Sequence, residues 1–146
     1  MDPFSISVGC LALVAAVQSA TGQISNLIRV FHAARPEMLR MSTRLNELNH
    51  ILNLIHHDSS DDCNPQNKQG LNESQHLIPF QINQCLDIVD ELQAMIKDYQ
   101  NTPQGRSRWT LTGKVAVKAL EASLEGHIGH LQLSLNLDAR WVHFKD

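Results

Sequence analysis

Residues 6–31, ISVGCLALVAAVQSATGQISNLIRVF, decide how this chain folds. Apolar side chains recur there at alternating steps of four and three residues, the spacing of one buried stripe on an α-helix. The stripe consists of Ile6, Cys10, Leu13, Val17, Ala20, Ile24, Leu27 and Phe31. No charged side chain lies between Asp2 and Arg29, and Pro3 suits the first turn of a helix with Asp2 as its N-cap. The pattern predicts a first helix over about 3–34.

The opposite face of this predicted helix changes character halfway along. At about 100° per residue it carries Phe4, Val8 and Leu11 in the first half, then Gly22, Asn26 and Arg29 in the second. A helix that is apolar all round must be covered by a second protein surface or by lipid, because one core shelters only one stripe. We therefore expect the function of the chain to depend on this segment.

The same segment differs from the usual targeting signals. A secretory signal begins with basic residues, whereas no Lys or Arg precedes Arg29. The dense apolar run from Ile6 to Val17 is shorter than the roughly 20 residues of a membrane-spanning helix. We expect neither secretion nor a conventional transmembrane anchor.

Three further amphipathic helices are predicted, over about 36–57, 77–100 and 107–143. Pro36 and Pro79 suit the first turns of the second and third helices, and Trp109 is the expected core aromatic near the start of the last. Residues 56–76 are almost entirely polar and predict a long loop between the second and third helices. No strand-like alternation is present. The fold class predicted is all-α, an antiparallel four-helix bundle in one domain over residues 1–146.

The overall charge and the cysteines limit the partners and the compartment. Twelve basic and fifteen acidic side chains give a net charge of -3, which does not favour nucleic acid. The three cysteines, Cys10, Cys63 and Cys85, are odd in number and widely spaced, and two of them occupy apolar stripe positions. This suits buried thiols in a reducing compartment. We expect a cytoplasmic protein with no nucleic-acid partner.

Catalytic and metal-binding patterns are weak. Gly113-Lys114 resembles the end of a phosphate-binding loop, but Arg108 stands where that loop needs glycine. The His and Asp residues of 56–63 could chelate a metal, although such polar loops are usually only solvated. His127 and His130 lie one turn apart without a third ligand at helical spacing. We expect no enzyme, no cofactor, no metal and no small-molecule substrate.

Basic residues form two local groups that could meet anionic lipid headgroups, or could be ordinary solvated helix ends. The first group surrounds the turn between the first two helices and the second lies at the start of the fourth: Arg29, Arg35, Arg40 and Arg44, then Arg106, Arg108, Lys114 and Lys118. One weak anchor gives only marginal attachment, so membrane binding needs such charges together with the apolar terminus.

The chain also resembles a known group of domains. The opening residues 1–6, MDPFSI, the small-residue apolar run after them, and the closing stretch from Arg108-Trp109 to 131–137, LQLSLNL, are similar to the fungal N-terminal helical domains of NLR-type STAND proteins. The nearest grouping is the HeLo-like class, which includes the domain named after the azaphilone pigment cluster protein. The resemblance covers residues 1 to about 137, but the polar insert 56–75 does not belong to its pattern.

The resemblance implies an effector or signalling module that precedes a nucleotide-binding oligomerisation domain. In related HeLo proteins the first hydrophobic helix is released and inserts into a membrane after oligomerisation. By that analogy the inserting surface would be Phe4, Ile6, Val8, Leu11, Leu13 and Val14. No nucleotide-binding domain or repeat array occurs within these residues, which departs from the longer members.

Three hypotheses remain at this point. In the first, the domain clusters with itself and its first helix moves from the packed bundle to a membrane, recruiting the protein to the plasma membrane. In the second, the same apolar face docks a second copy or a related helical domain without lipid. In the third, the bundle covers the helix on two sides and the domain is a folded spacer. The exposure of the early apolar side chains discriminates between them.

Overall fold

The computed structural model describes the backbone of residues 3–61, 72–102 and 104–144, and side chains within 6–57, 77–102, 104–105 and 107–136. These ranges are helical apart from short connections, and no strand occurs in them. The elements are α1 (Pro3–Val30), a 3-10 turn (His32–Ala34), α2 (Arg35–Asp61), α3 (Asn72–Asn101), α4 (Gly105–Arg108), a π-helical segment (Trp109–Gly113) and α5 (Lys114–Phe144). The prediction of an all-α four-helix bundle is confirmed, with α1, α2, α3 and α5 as its long helices.

The turn between the first two helices is longer than the residue pattern predicts. α1 ends at Val30 rather than at residue 34, because Phe31 adopts an extended backbone with φ -123° and ψ 91°. The Phe31 side chain is buried in the core, and the 3-10 turn then leads directly into Arg35. Pro36 occupies the first turn of α2, as predicted.

Helix extends into both ends of the predicted polar loop. α2 continues to Asp61 and α3 already begins at Asn72, so of the predicted loop 56–76 only residues 62–71 fall outside the described helices. Pro79 lies inside α3 rather than in its first turn, which corrects the prediction. Polarity was the basis of the loop prediction, but Asn, Gln and His cost a helix only a fraction of 1 kcal/mol each, on the order of 0.5.

The helices pack as a square in which each long helix contacts two others. α1 packs against α2 and α3, and α5 packs against the same two helices. Ser7 lies near the start of α1 and contacts His56 near the end of α2, so these two neighbouring helices are antiparallel. Gly9 lies beside Ile82, and Ala16 beside Gln93, so α1 and α3 run parallel.

The remaining contacts complete this arrangement. Gln81 of α3 contacts His127 of α5, and Tyr99 contacts Trp109, so α3 and α5 are antiparallel. Arg44 of α2 lies 3.7 Å from Glu121 of α5. Each residue lies about two turns after the start of its helix, so α2 and α5 are parallel neighbours. Consecutive long helices therefore alternate in direction, while α2 and α3 lie diagonally across the bundle.

The core is built from one stripe of each long helix, as the three- and four-residue spacing predicts. The predicted stripe of α1 is buried along its whole length, from Ile6 to Phe31. Trp109 is 1% exposed and packs edge-on against Tyr99 with ring centroids 5.5 Å apart. The expected core role of Trp109 is confirmed.

The start of the last predicted helix contains a π-helical segment between α4 and α5. Gly113 ends this segment directly beside the Trp109 ring, and a methyl group there would lie 2.5 Å from Trp109 Cε3. The wider π-helical turn thus brings the indole into the core at a point where only glycine leaves enough room.

Candidate functional site: the first helix

The outer face of α1 divides into an apolar half and a polar half, as its pattern predicts. In the first half Val8 is 51% exposed and Leu11 is 57% exposed. Ala12 and Ala15 are also exposed there. The later exposed positions are Gln18, Ser19, Gly22, Ser25, Asn26 and Arg29, followed by the apolar Val30 at the helix end. Contiguous exposed apolar side chains are typical of surfaces that contact another protein or a membrane. We call Val8, Leu11, Ala12 and Ala15 the apolar face of α1.

The residues of the implied inserting surface divide between this face and the core. Val8 and Leu11 are exposed, whereas Ile6 and Leu13 are buried in the core and Val14 packs partly against it. Ile6 and Leu13 can meet lipid only if α1 leaves the bundle. The side chain of Phe4 lies outside the described residues.

By length and composition, α1 is capable of crossing a membrane. Ile6–Val30 forms the one such stretch in the described part of the chain, 25 residues long and close to the N-terminus. The dense apolar run from Ile6 to Val17 is shorter than this stretch, and the residues that follow it, such as Gln18 and Ser19, are polar but uncharged. Core helices of soluble proteins and signal sequences share this property.

Polar contacts of Ser7 and Ala16 join α1 to its neighbours within the described part of the chain. Ser7 Oγ lies 3.1 Å from His56 Nδ1 of α2. Gln93 Nε2 of α3 donates to the backbone carbonyl of Ala16 at 2.8 Å. These contacts link α1 to specific positions on α2 and α3. The residue pattern did not predict them, because they join residues far apart in the chain.

Arg44 of the first basic group is engaged within the protein. Arg44 Nη1 donates to Glu47 at 2.9 Å and its guanidinium also lies 3.7 Å from Glu121 and 3.9 Å from Glu125. The hydrogen bond to Glu47 is the main cause that raises the pKa of Arg44, and the charges of the three carboxylates add to it. Arg44 therefore bridges α2 and α5 instead of facing a membrane, which does not favour the headgroup hypothesis at this position.

The other basic residues differ in whether a carboxylate lies at ion-pair distance. Arg40 lies 4.0 Å from Glu37, and Arg108 lies 3.5 Å from Asp98. Within the described side chains, Arg35, Lys114 and Lys118 have no carboxylate at ion-pair distance, whereas the side chain of Arg106 lies outside them.

The basic groups and the apolar face lie at different ends of the bundle. Arg29 follows Leu11 by eighteen positions on the same helix, a distance of about 27 Å along its axis. The two features cannot act as one flat patch in the packed state.

Of the groups considered for catalysis and metal binding, the side chains of Asp58, Asp61 and Asp62 lie outside the described residues. No cluster of three or more His, Cys, Asp or Glu side chains occurs among the described residues. His127 contacts Gln81, and burial together with the charge of His130 lowers the pKa of His127. Cys10 and Cys85 are buried free thiols whose pKa values burial raises to about 11 and about 12. Cys63 lies outside the described residues.

A groove lies at the opposite end of the bundle from the apolar face. It has a volume of about 360 Å³ and is lined by Arg29, Val30, Phe31, His32, Ala33, Trp109 and Thr110. The buried Nε1–H of Trp109 has no hydrogen-bond acceptor among the described residues. An unpaired buried donor costs about 1–3 kcal/mol. The residue pattern did not predict this groove, because its two walls lie about 80 positions apart in the chain.

No known protein family, characterised protein or solved structure matches this chain. The resemblance to HeLo-like domains therefore stays an expectation drawn from the residues quoted for it.

Proposed function

We propose that this chain is a non-enzymatic helical module that associates with membranes through α1 when several copies cluster. The observation that carries the proposal is the exposure of Val8 and Leu11 on a helix whose inner stripe is also apolar. Such a helix is apolar on two sides over its first turns, and one bundle covers only one of them.

The length of α1 fits insertion across a bilayer better than binding flat to its surface. From Ile6 to Arg29 the helix rises about 35 Å, close to the roughly 30 Å of a hydrocarbon core. No charge lies between these residues, and Arg29 would then reach the headgroup region. A flat mode would need the basic groups beside the apolar face, and they lie at the other end.

Insertion of α1 requires partners for its second half. Gln18, Ser19, Gln23 and Asn26 are polar, and polar side chains within a bilayer find partners on neighbouring helices. A second copy of the same helix supplies them. The proposed partner is therefore another copy of this chain, and the proposed location is the cytoplasm with recruitment to an anionic plasma membrane.

Release of α1 from the bundle exchanges one apolar environment for another. Ile6 and Leu13 leave the protein core but enter lipid, while the contacts Ser7–His56 and Gln93–Ala16 are lost. Both states shelter the apolar stripe of α1, but release uncovers the faces of α2 and α3 that packed against it. Clustering and insertion must together supply the free energy of that exposure. The finer assignment, an effector domain of a fungal NLR-type cell-death protein, rests on the resemblance alone.

The test compares dye leakage from phosphatidylglycerol vesicles for the clustered wild-type protein and two matched variants. Leu11 and Leu133 are both 57% exposed, Leu11 on α1 and Leu133 on the diagonally opposite α5. We expect Leu11→Glu to reduce leakage at least tenfold and Leu133→Glu to leave it unchanged. Equal leakage from both variants, or none from the clustered wild type, would overturn the proposal.

A second candidate function is homotypic docking without lipid. The exposed line Ala12, Ala15, Ser19 and Gly22 consists of small residues that let a second helix approach closely, and nothing lies within 4 Å of a methyl group added at Gly22. This function predicts concentration-dependent dimers in lipid-free buffer by sedimentation velocity, disrupted by Ala15→Glu. Weak interfaces have dissociation constants up to about 0.1 mM. A wild-type protein that stays monomeric at about 0.1 mM would therefore exclude this function.

A further inference from the structure

The groove between the α1–α2 turn and the π-helical segment has the form of a small-molecule site. Its volume of about 360 Å³ lies within the range of roughly 300–1,000 Å³ found for ligand sites. Val30, which is 50% exposed, and Ala33 form the accessible apolar wall, with the buried Phe31 and Trp109 behind it. Arg29 and His32 lie beside them. Mostly apolar walls with a few polar groups are typical of sites that bind small organic molecules.

The charged groups at the groove favour an anion. Within the described side chains no carboxylate pairs with Arg29, whose Nη2 donates to the neutral Asn26 Oδ1 at 2.8 Å. A guanidinium has five N–H donors, so most of them stay available for a ligand. Arg35 follows the same turn and Lys114 follows the π-helical segment, both without an ion pair in the described part.

The Trp109 wall of the groove is irregular in two ways. A π-helical segment interrupts the helix there, and such segments occur frequently at functional sites. The Nε1–H of Trp109, a residue that is 1% exposed, also lacks an acceptor. An unpaired buried donor can be satisfied by a bound water or by a ligand atom.

We propose that this groove binds a small soluble anion with an apolar body, of the class of medium-chain or aromatic carboxylates. The apolar body packs against Val30 and Ala33, above the buried Trp109, and the carboxylate pairs with Arg29. This proposal concerns the packed bundle, in which the groove and the apolar face lie at opposite ends of α1, so octanoate binding in lipid-free buffer does not require the membrane function.

Binding is tested by NMR in lipid-free buffer, with the indole Nε1–H of Trp109 as the reporter. A Trp141→Phe background removes the other indole signal. Octanoate is the probe, and acetate and 1-octanol are its charged and apolar halves. We expect a saturable shift with octanoate, with an affinity at least tenfold higher than for either comparison compound.

Matched variants locate the site. Arg29→Gln should weaken octanoate binding at least fivefold, whereas Arg40→Gln, an exposed arginine that does not line the groove, should not change it. Leu11→Glu should not change it either, which separates the groove from the apolar face. Equal affinity of the Arg29 and Arg40 variants, a shift no larger than that with acetate, or a shift produced only by phosphatidylglycerol vesicles would overturn the proposal.

Discussion

Gly113 is a position where a single methyl group decides stability. A Cβ added there would lie 2.5 Å from Trp109 Cε3 and 3.1 Å from the Tyr99 hydroxyl. We expect Gly113→Ala to lower the free energy of unfolding by about 1–3 kcal/mol, because both rings are packed in the core. Gly126 on α5 is the matched control, with nothing within 4 Å of an added methyl group. Gly126→Ala should raise stability by about 0.5–1 kcal/mol in urea denaturation.

The buried thiols provide a second prediction at the scale of single residues. Burial raises the pKa of Cys10 from 9.0 to about 11, so the folded protein holds its proton more tightly than the unfolded chain does. The stabilising effect of this thiol is complete below pH 9 and is lost as the pH rises through about 11. We expect the urea midpoint to fall between pH 9 and 10.5, and Cys10→Ala to flatten that fall. An unchanged slope in the Cys10→Ala variant would contradict this assignment.

At the scale of the element, α1 carries both buried residues that stabilise the fold and exposed residues that contribute little to it. Leu13 is fully buried, so Leu13→Ala should cost about 2–5 kcal/mol of unfolding free energy. Leu11 lies on the exposed face, and Leu11→Glu should change stability by no more than about 0.5 kcal/mol. The measurement is equilibrium urea denaturation followed by circular dichroism. A large loss in Leu11→Glu would show that another surface of the protein covers the apolar face.

At the scale of the whole molecule, the packing of α1 directly against α3 can be tested in solution. Gly9 and Ile82 lie so close that a methyl group added at Gly9 would be 3.5 Å from Ile82 Cγ2. We expect a nuclear Overhauser effect between the Gly9 α-protons and the Ile82 methyl group in the folded monomer. If α3 packed beside α2 instead of α1, this signal would be absent and the bundle would have the simple neighbour order of its chain.

Much of the fold follows from the spacing of apolar residues, and the reason is physical. A stripe at three- and four-residue steps can be buried only as a helix against other helices, so the stripe from Ile6 to Phe31 predicted both α1 and its buried side. The exposed positions of Val8 and Leu11 follow from the same geometry. Local polarity was a poorer guide, since α2 and α3 both extend into residues that read as loop.

The sequence by itself therefore determined the helical class, the buried stripes and the two-sided apolar character of α1, because these depend on residues within a few turns of each other. Only the tertiary structure decided that α1 and α3 are parallel neighbours, that Arg44 bridges two helices, and that Phe31 and Trp109 meet at one groove. Such contacts join positions far apart in the chain. Their choice depends on how whole helix faces fit together, which periodicity along one segment does not specify.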